Sequence, residues 1–281
     1  MALQTVLTVA GSDSGAGAGI QADLKAISAN GAYGLSVLTS VTAQNTRAVT
    51  AALALPAEII EEQFAAIFAD FSPAATKSGM LADRERVEVV AAAMRRYQPE
   101  HYVLDPVMVS KSGYPLLQQD AIASLRSLLL PLAEVVTPNV DEAELLAEMS
   151  ITTLADARVA AARILEQGPR AVIVKGGHLE ERPGTDLLLS ANGMRLYEGE
   201  FIESTSTHGT GCTFSAALAT QLAHGHSLED AVGIAKAYLT EAIRHAPGLG
   251  GGAGPTDHFF YLRGGDSAPW LDRLGVTGVD R

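Results

Sequence analysis

The chain reads as an α/β protein with a mostly parallel sheet and helices on both faces, on three observations. Short β-branched runs alternate with longer Ala- and Leu-rich segments that carry charges at helical spacing. Hydrophobic residues make up 47% of 281, enough for a large core. Glycine (27) and proline (12) punctuate the ends of segments and stay well below the share that marks low-complexity sequence. A chain of this length and class often folds as one large domain.

In order, strands are expected over 5–10, 35–41, 75–78, 102–104, 134–137 and 171–175. Helices are expected between most of them, over 20–30, 57–70, 83–98, 120–130, 141–148 and 155–167. Asp83 is a natural N-cap, and Gly31 and Gly168 are natural C-terminal stops. From 185 to 202 the pattern becomes two short strands around Ala191-Asn192-Gly193, a hairpin signal. Helices return over 211–224 and 228–246, followed by a run, LGGGAGP, that reads as flexible. No repeat and no long linker divides the chain, so residues 1–263 are expected to form one domain, with 264–281 a tail of unassigned role.

The formal charge of −12 argues against a broad nucleic-acid or membrane-surface function, because phosphate backbones and anionic lipids are held by clustered cations. A local cationic site for one small anion stays open. The single cysteine, Cys212, excludes an intramolecular disulfide and a zinc–cysteine cage. The N-terminal stretch lacks the basic region of a secretory signal, and no apolar run has the length of a membrane span. A cytoplasmic protein is expected.

Three groups of residues carry possible chemistry. The loop GSDSGAGAG (11–19) lies between a strand and a helix, where glycines let backbone N–H groups approach an anion. It lacks the Lys-Ser/Thr ending of a phosphate loop and the GxGxxG spacing of a dinucleotide site, so a plain strand-to-helix connection competes with a binding function. The second group, His208-Gly209-Thr210-Gly211-Cys212, opens an alanine-rich helix; its N–H groups suit charge developing on a transferred phosphoryl group. A cysteine there is expected to have a lowered thiol pKa, the competing reading being a small buried residue that only packs. The third group sits at expected strand ends: Asp105, Asn139, Glu142 and Lys175. Carboxylates with a nearby amide suit hydrated magnesium and a lysine suits phosphates, although each alone is more often a cap or a solvated group.

Taken together, AGSDSGAGAGIQADLK, VTAQNT, KSGM, LDPVM, KSGYPLL, TPNVDEAELL, VKGGH, THGTGCTFSAALA and GAGPTDHF occur in an order that resembles the hydroxymethylpyrimidine/phosphomethylpyrimidine kinases of thiamine biosynthesis. Those enzymes belong to the ribokinase-like superfamily, and the resemblance spans residues 5–260. It implies a three-layer ribokinase-like fold and phosphoryl transfer from ATP, with Mg2+, to a hydroxymethyl-aminopyrimidine and then to its monophosphate, in a homodimer. It implies that Gln44 binds the pyrimidine, with Gly11, Ala18, Asp23, Val41, Met80 and Val107 shaping the pocket. Gly209, Thr210, Gly211 and Cys212 match the anion-stabilising turn and the base, with cysteine where most ribokinase-like sugar kinases carry aspartate. Lys175, Asp105 and Asn139 match the phosphate side, Glu142 the metal-linked N-x-x-E motif, and 109–115 a mobile flap.

Rivals remain. Relatives with the same cysteine phosphorylate pyridoxal or pyridoxine, and a non-catalytic pyrimidine-binding protein would share the pocket. A dinucleotide oxidoreductase would need an acidic residue closing the second strand, and VLTSVTAQ has none. A cysteine hydrolase is weaker, because partners of a catalytic cysteine come from distant sequence and His208 lies only four residues away.

Overall fold

The computed structural model describes residues 3–111, 113–177 and 181–262. The chain begins with β1 (Thr5–Asp13), α1 (Gly19–Ala29), β2 (Tyr33–Gln44) and β3 (Val49–Ala54). Next come α2 (Ala57–Asp70), β4 (Ala75–Ser78), α3 (Arg84–Tyr97), β5 (His101–Leu104) and α4 (Gln119–Ser124). The second half holds β6 (Val135–Val136), α5 (Val140–Ala147), α6 (Leu154–Leu165), β7 (Ala171–Val174), β8 (Asp186–Ser190) and β9 (Gly193–Tyr197), and closes with α7 (Thr210–Ala223) and α8 (Leu228–Arg244). The strands form one sheet in the order β3-β2-β1-β4-β5-β6-β7-β8-β9. The run from β2 to β7 is parallel, and β3, β8 and β9 are antiparallel at the edges.

The three-layer expectation holds, and period-two alternation shows why. Leu7, Val9, Tyr102, Leu104, Val136, Val172 and Val174 face one core with α2, α3, α4, α5 and α6. Their neighbours Val6, Val103, Val135, Ala171 and Ile173 face the other, with α1, α7 and α8. A strand buried on both faces reads as a continuous apolar run, which is what the sequence shows at these positions. Helix α7 packs between α1 and α8, and every residue from Cys212 to Ala223 is buried, which accounts for its small side chains. Its polar residues are satisfied within the fold: Ser215 and Thr137 share a 2.8 Å bond, Thr213 meets His258 Nε2 at 2.9 Å, and Gln221 donates to Asn30 at 2.9 Å.

Several expectations need correction. Strand β3 was missed, because its Val-Thr-Ala-Ala-Leu-Ala residues are mostly exposed and alanine-rich, with little β-propensity to announce an edge strand. β2 extends three residues further than expected and so carries Gln44 on its end. The helix expected over 120–130 is α-helical only to Ser124; it widens to i→i+5 bonding at Leu125–Leu129 and tightens at Leu130–Leu132, where Pro131 cannot continue it. The LGGGAGP run is docked, not free: Ala253 N–H donates to Thr46 O at 2.9 Å, and Gly254 O accepts from His208 N–H at 3.0 Å. The hairpin turns at Ala191-Asn192, as expected. The tail over 264–281 lies outside the described residues, as does His178 of the VKGGH run.

Asp83 caps α3 by accepting from the Arg86 N–H at 3.1 Å. Asp83→Ala is expected to cost about 1 kcal/mol of stability. The measurement is a urea titration in which the midpoint falls and the slope stays unchanged.

Candidate active site

At the carboxyl ends of β1, β5 and β7, beside the N-terminus of α7, lies a cavity of about 850 Å3. It is the crevice in which open parallel sheets place their ligands. Gly11, Ala18, Gln44, Met80, Val107, Asp105, Asn139, Glu142, Lys175, Gly209, Thr210, Gly211 and Cys212 all line it. Residues separated by up to two hundred positions in sequence thus share one space. Gly11 lets the floor close up, since a Cβ there would fall 2.6 Å from Ser40 Oγ and 2.9 Å from Met80 Sδ.

Two expected pocket residues stand elsewhere. Val41 does not line the cavity: Thr42 and Gln44 face inward, so Val41, of opposite parity on β2, points out and is 41% exposed. Asp23 does not line it either; it is fully buried beneath the floor on α1. There it accepts from Thr8 Oγ1 at 2.6 Å and from Lys77 Nζ at 3.0 and 2.9 Å.

Lys77, at the end of β4 in the KSGM run, is the residue sequence reasoning left without a role. It is completely buried, with Asp23 on one side and Asp105 Oδ2 at 3.7 Å on the other. Burial works against its charge, but Asp23, Cys212 and Asp105 outweigh it and keep the ammonium protonated. Asp105 in turn accepts from Lys175 Nζ at 3.1 Å. Burial would raise the Asp105 carboxyl, yet Lys175 and Lys77 hold it below the ordinary carboxylate range. Acid and base therefore alternate from Asp23 through Lys77 and Asp105 to Lys175.

Cys212 stands at the start of α7. The expectation of a lowered thiol pKa is overturned: burial, together with Asp23 and Asp105, pushes the thiol up to about 12, against the opposing pull of Lys77 and an N–H from Gly19. The turn geometry expected of Gly-x-Gly is present. Gly209 has φ of 75°, and a Cβ there would run into the carbonyl oxygen of Gly17. No side chain caps α7, so its first-turn N–H groups have no intrahelical partner and lie at the cavity.

Asn139 and Glu142 turn out to be a capping box for α5: Asn139 Oδ1 accepts from Glu142 N–H at 2.8 Å, and Glu142 Oε2 accepts from Asn139 N–H at 2.8 Å. Burial raises the Glu142 carboxyl to about 7, opposed by Lys175 and reinforced by Asp105. Across the cavity mouth, Val109 bridges Pro115, and Ser110 N–H donates to Tyr114 O at 2.9 Å; Ser112, within this expected flap, lies outside the described residues.

The first loop is not an open anion cradle. Three of its N–H groups are taken by the Asp13 carboxylate, which accepts from Gly15 at 2.8 Å, Gly17 at 3.0 Å and Ala18 at 2.9 Å, and from His208 Nε2 at 2.8 Å. Burial would raise Asp13, but His208 and the N–H groups of Ala18 and Gly15 hold it below the ordinary range. Asp13, Thr42 and His208 all line the cavity; Asp13 and His208 fall within the first and second candidate groups but were given no role of their own, and Thr42 was missed. Thr42 was findable two residues before Gln44 on the same strand face; the distant ion pair of Lys236 with Asp186 at 2.8 Å, also at the cavity, left no sequence signal. Among the described residues no three His, Cys, Asp or Glu side chains cluster to hold a metal by themselves, and no helix is long and apolar enough to cross a membrane.

Comparison with known proteins follows the same lines. The family model described as phosphomethylpyrimidine kinase matches residues 13–257. The hydroxymethylpyrimidine/phosphomethylpyrimidine kinase of Rhizobium meliloti is 49% identical over 256 residues, covering 90% of this chain and 96% of that protein. A thiamine biosynthesis bifunctional protein of Geobacter sulfurreducens is 46% identical over 254 residues; the match covers 90% of this chain and 52% of the relative, so the chain spans about half its length. Among solved structures, an ADP complex of Bacillus subtilis pyridoxal kinase superposes with a TM-score of 0.87 at 35% identity, covering 93% of this chain and 100% of that one.

Two outcomes test the electrostatics. Because the folded protein favours the neutral Glu142 carboxyl, its contribution is present below an ordinary pKa of 4.5 and is lost as pH rises through about 7. The wild-type unfolding midpoint should therefore fall between pH 5 and 8 relative to Glu142→Gln. Lys77→Met leaves two buried carboxylates short of a cation and should cost about 3–5 kcal/mol, while Asp23→Asn combined with Lys77→Met should recover most of it in chemical denaturation.

Proposed function

The chain belongs to the phosphomethylpyrimidine kinase family, and on that premise we propose that it is an ATP-dependent kinase acting twice on one acceptor. It transfers the γ-phosphoryl group of ATP to the hydroxymethyl oxygen of 4-amino-5-hydroxymethyl-2-methylpyrimidine. It then transfers a second to the resulting monophosphate, giving the pyrophosphate used in thiamine biosynthesis. One observation supports this reading most: a side-chain amide at Gln44, the uncapped N-terminus of α7 with Cys212, and the Lys175–Asp105–Glu142 edge share a single cavity.

Gln44 offers both a donor and an acceptor to a ring nitrogen beside an amino group. Gly11, Ala18, Met80 and Val107 give the acceptor its apolar enclosure. The N–H groups of Thr210, Gly211 and Cys212 steady charge on the transferred phosphoryl group, which needs positioning and neutralisation more than covalent help. Lys175 supplies positive charge to the phosphates and Asn139 flanks them.

The carboxylates fit a hydrated divalent cation, because Asp105 Oδ2 is buried with no hydrogen-bond partner and Glu142 lies on the same cavity. Asp105 and Glu142 would hold Mg2+ through its waters, and the ion would offset phosphate charge. Cys212 receives the acceptor's proton. Its resting thiol is protonated, so the thiolate must form before it can act.

In this reading the enzyme is a cytoplasmic homodimer. Val41 and Leu53, cross-strand partners that are 41% and 67% exposed on the β2–β3 hairpin, are the surface a second copy would cover. A monomer mass by light scattering would remove that part of the reading. A pyridoxal kinase is the second reading, favoured by the close superposition on such an enzyme.

The deciding experiment is an ATP-to-ADP assay with magnesium on hydroxymethylpyrimidine, its monophosphate and pyridoxal, for wild type and Cys212→Ser. Turnover of both pyrimidines that collapses in the variant is expected. Pyridoxal turnover alone would reassign the enzyme, and silence with all three would favour a binding protein. With the thiol pushed up to about 12, kcat/KM for the pyrimidine should climb with pH from 6 to 9 without a plateau, and lose that slope in Cys212→Ser.

A further inference from the structure

His208 and Thr42 face the Gln44 amide from its two ends. As placed, Gln44 Nε2 lies 3.3 Å from His208 Nε2 and Gln44 Oε1 lies 3.1 Å from Thr42 Oγ1, but amide nitrogen and oxygen are assigned from their partners and can be exchanged. What each neighbour can offer is fixed by its other partner. Asp13 is held as a carboxylate, since it also accepts from three backbone N–H groups, so it has no proton to give. His208 Nε2, 2.8 Å from Asp13 Oδ2, must therefore carry a hydrogen whether the ring is neutral or cationic. Thr42 Oγ1 has one hydrogen, and the Ser12 carbonyl at 2.9 Å, which can only accept, takes it. Toward the amide, then, Thr42 is an acceptor, and His208 presents the edge of an N–H already given to Asp13, with no lone pair that could accept from the amide.

Only one amide orientation satisfies both. Turned over from that placement, the amide has Oε1 toward the His208 N–H edge and Nε2 donating to Thr42; as placed, it sets N–H against N–H and oxygen lone pair against oxygen lone pair. The backbone of Gln44 is held as well: Ser14 Oγ donates to Gln44 O at 2.7 Å and accepts from Gln44 N–H at 2.8 Å, so the side chain swings from a fixed point. The first loop thus clamps Gln44 through Ser12, Asp13 and Ser14 together.

We propose that Asp13, His208 and Thr42 are positioning residues that lock the Gln44 amide with its oxygen on the His208 side, and that this lock sets the acceptor's orientation and its specificity for an aminopyrimidine. The inference rests on the reading of Gln44 as the acceptor-binding residue. With the amide so turned, Oε1 retains a lone pair for the exocyclic amino group, and Nε2 retains a hydrogen for the ring nitrogen beside it. In the acceptor the hydroxymethyl group lies next to the amino group, on the side away from that nitrogen. It is therefore carried to the His208 side, the side of the chain that runs directly into Gly209 and Cys212. The reversed amide would turn the ring over and send the reacting hydroxyl toward Thr42. A 4-oxo ring, with N–H and C=O in place of ring nitrogen and amino group, presents the opposite pattern and is rejected by the locked amide.

The test compares kcat/KM for 4-amino-5-hydroxymethyl-2-methylpyrimidine with that for its 4-oxo analogue, in wild type, His208→Leu and Thr42→Val. His208→Leu leaves Asp13 with its three backbone donors; Thr42→Val deletes only a hydroxyl in near-constant volume. Each should lower the amino-to-oxo preference about tenfold, because a single donor–donor or lone-pair clash no longer opposes the wrong orientation, and each should leave the KM for ATP unchanged. A preference that stays at the wild-type ratio in either folded variant, even with both rates reduced together, overturns the lock. Gln44→Ala separates the two ideas: if the 4-amino rate survives that change, Gln44 does not bind the acceptor and the underlying reading has failed.

Discussion

The ammonium of Lys77, enclosed between Asp23 and Asp105, is the constraint around which the site is arranged. It joins the end of β4 to α1 on one side and to the end of β5 on the other, and Asp105 passes the connection on to Lys175 at the end of β7. Three parallel strands and a helix thereby meet at one alternating row of charges. Buried ion pairs often give way to apolar residues of similar volume without loss of stability, so this arrangement is better explained by what it does to its surroundings than by what it adds to the fold. Its field reaches Cys212: Lys77 favours the thiolate, while Asp23 and Asp105 oppose it. These charges oppose one another at the sulfur, and burial, the largest influence, keeps the thiol protonated.

Above that row, the acceptor end of the cavity is organised by hydrogen-bond bookkeeping. Asp13 gathers the N–H groups of its own loop and the imidazole of His208, so that a glycine-rich segment with little intrinsic preference for one conformation becomes a fixed wall. The same wall reaches Gln44 through Ser12 and Ser14. The two ends of the cavity have different physics: alternating buried charges around Asp105 and Lys175 at one, and directed donors and acceptors around Gln44 at the other.

Much of this was legible in the sequence. The parallel strands and most helices followed from apolar periodicity, because strands buried on both faces and amphipathic helices write distinct patterns. The carboxyl-edge residues Asp105, Asn139, Glu142 and Lys175 were found because strand ends can be located from those patterns. Family resemblance supplied Gln44 and the acceptor; spacing alone stops at an anion-handling α/β protein. What stayed hidden was three-dimensional pairing. Nothing in the sequence near Lys77 says that Asp23 and Asp105 will close around it, and no local rule foretells that Asp13 will satisfy the glycine loop from within. The thiol went wrong for a related reason: the helix N-terminus is visible in sequence, but the burial and the two carboxylates that oppose it are not. Val41 failed on parity, which one further step of alternation along β2 would have corrected.

Helix α7 is walled in by α1, α8 and the sheet along its whole buried length, so the Gly211-Cys212 end that opens on the cavity sits on a firmly held part of the molecule. The acceptor end is lined instead by the first loop, the end of β2 and the segment around Val109, all at the rim of the fold. Under the proposed function, the group that selects the acceptor and the group that assists transfer would thus belong to separately held parts of the fold. A substitution at the rim would then disturb ring recognition while leaving the packing of α7 untouched, whereas one inside α7 would disturb the packing of two other helices and the sheet at once.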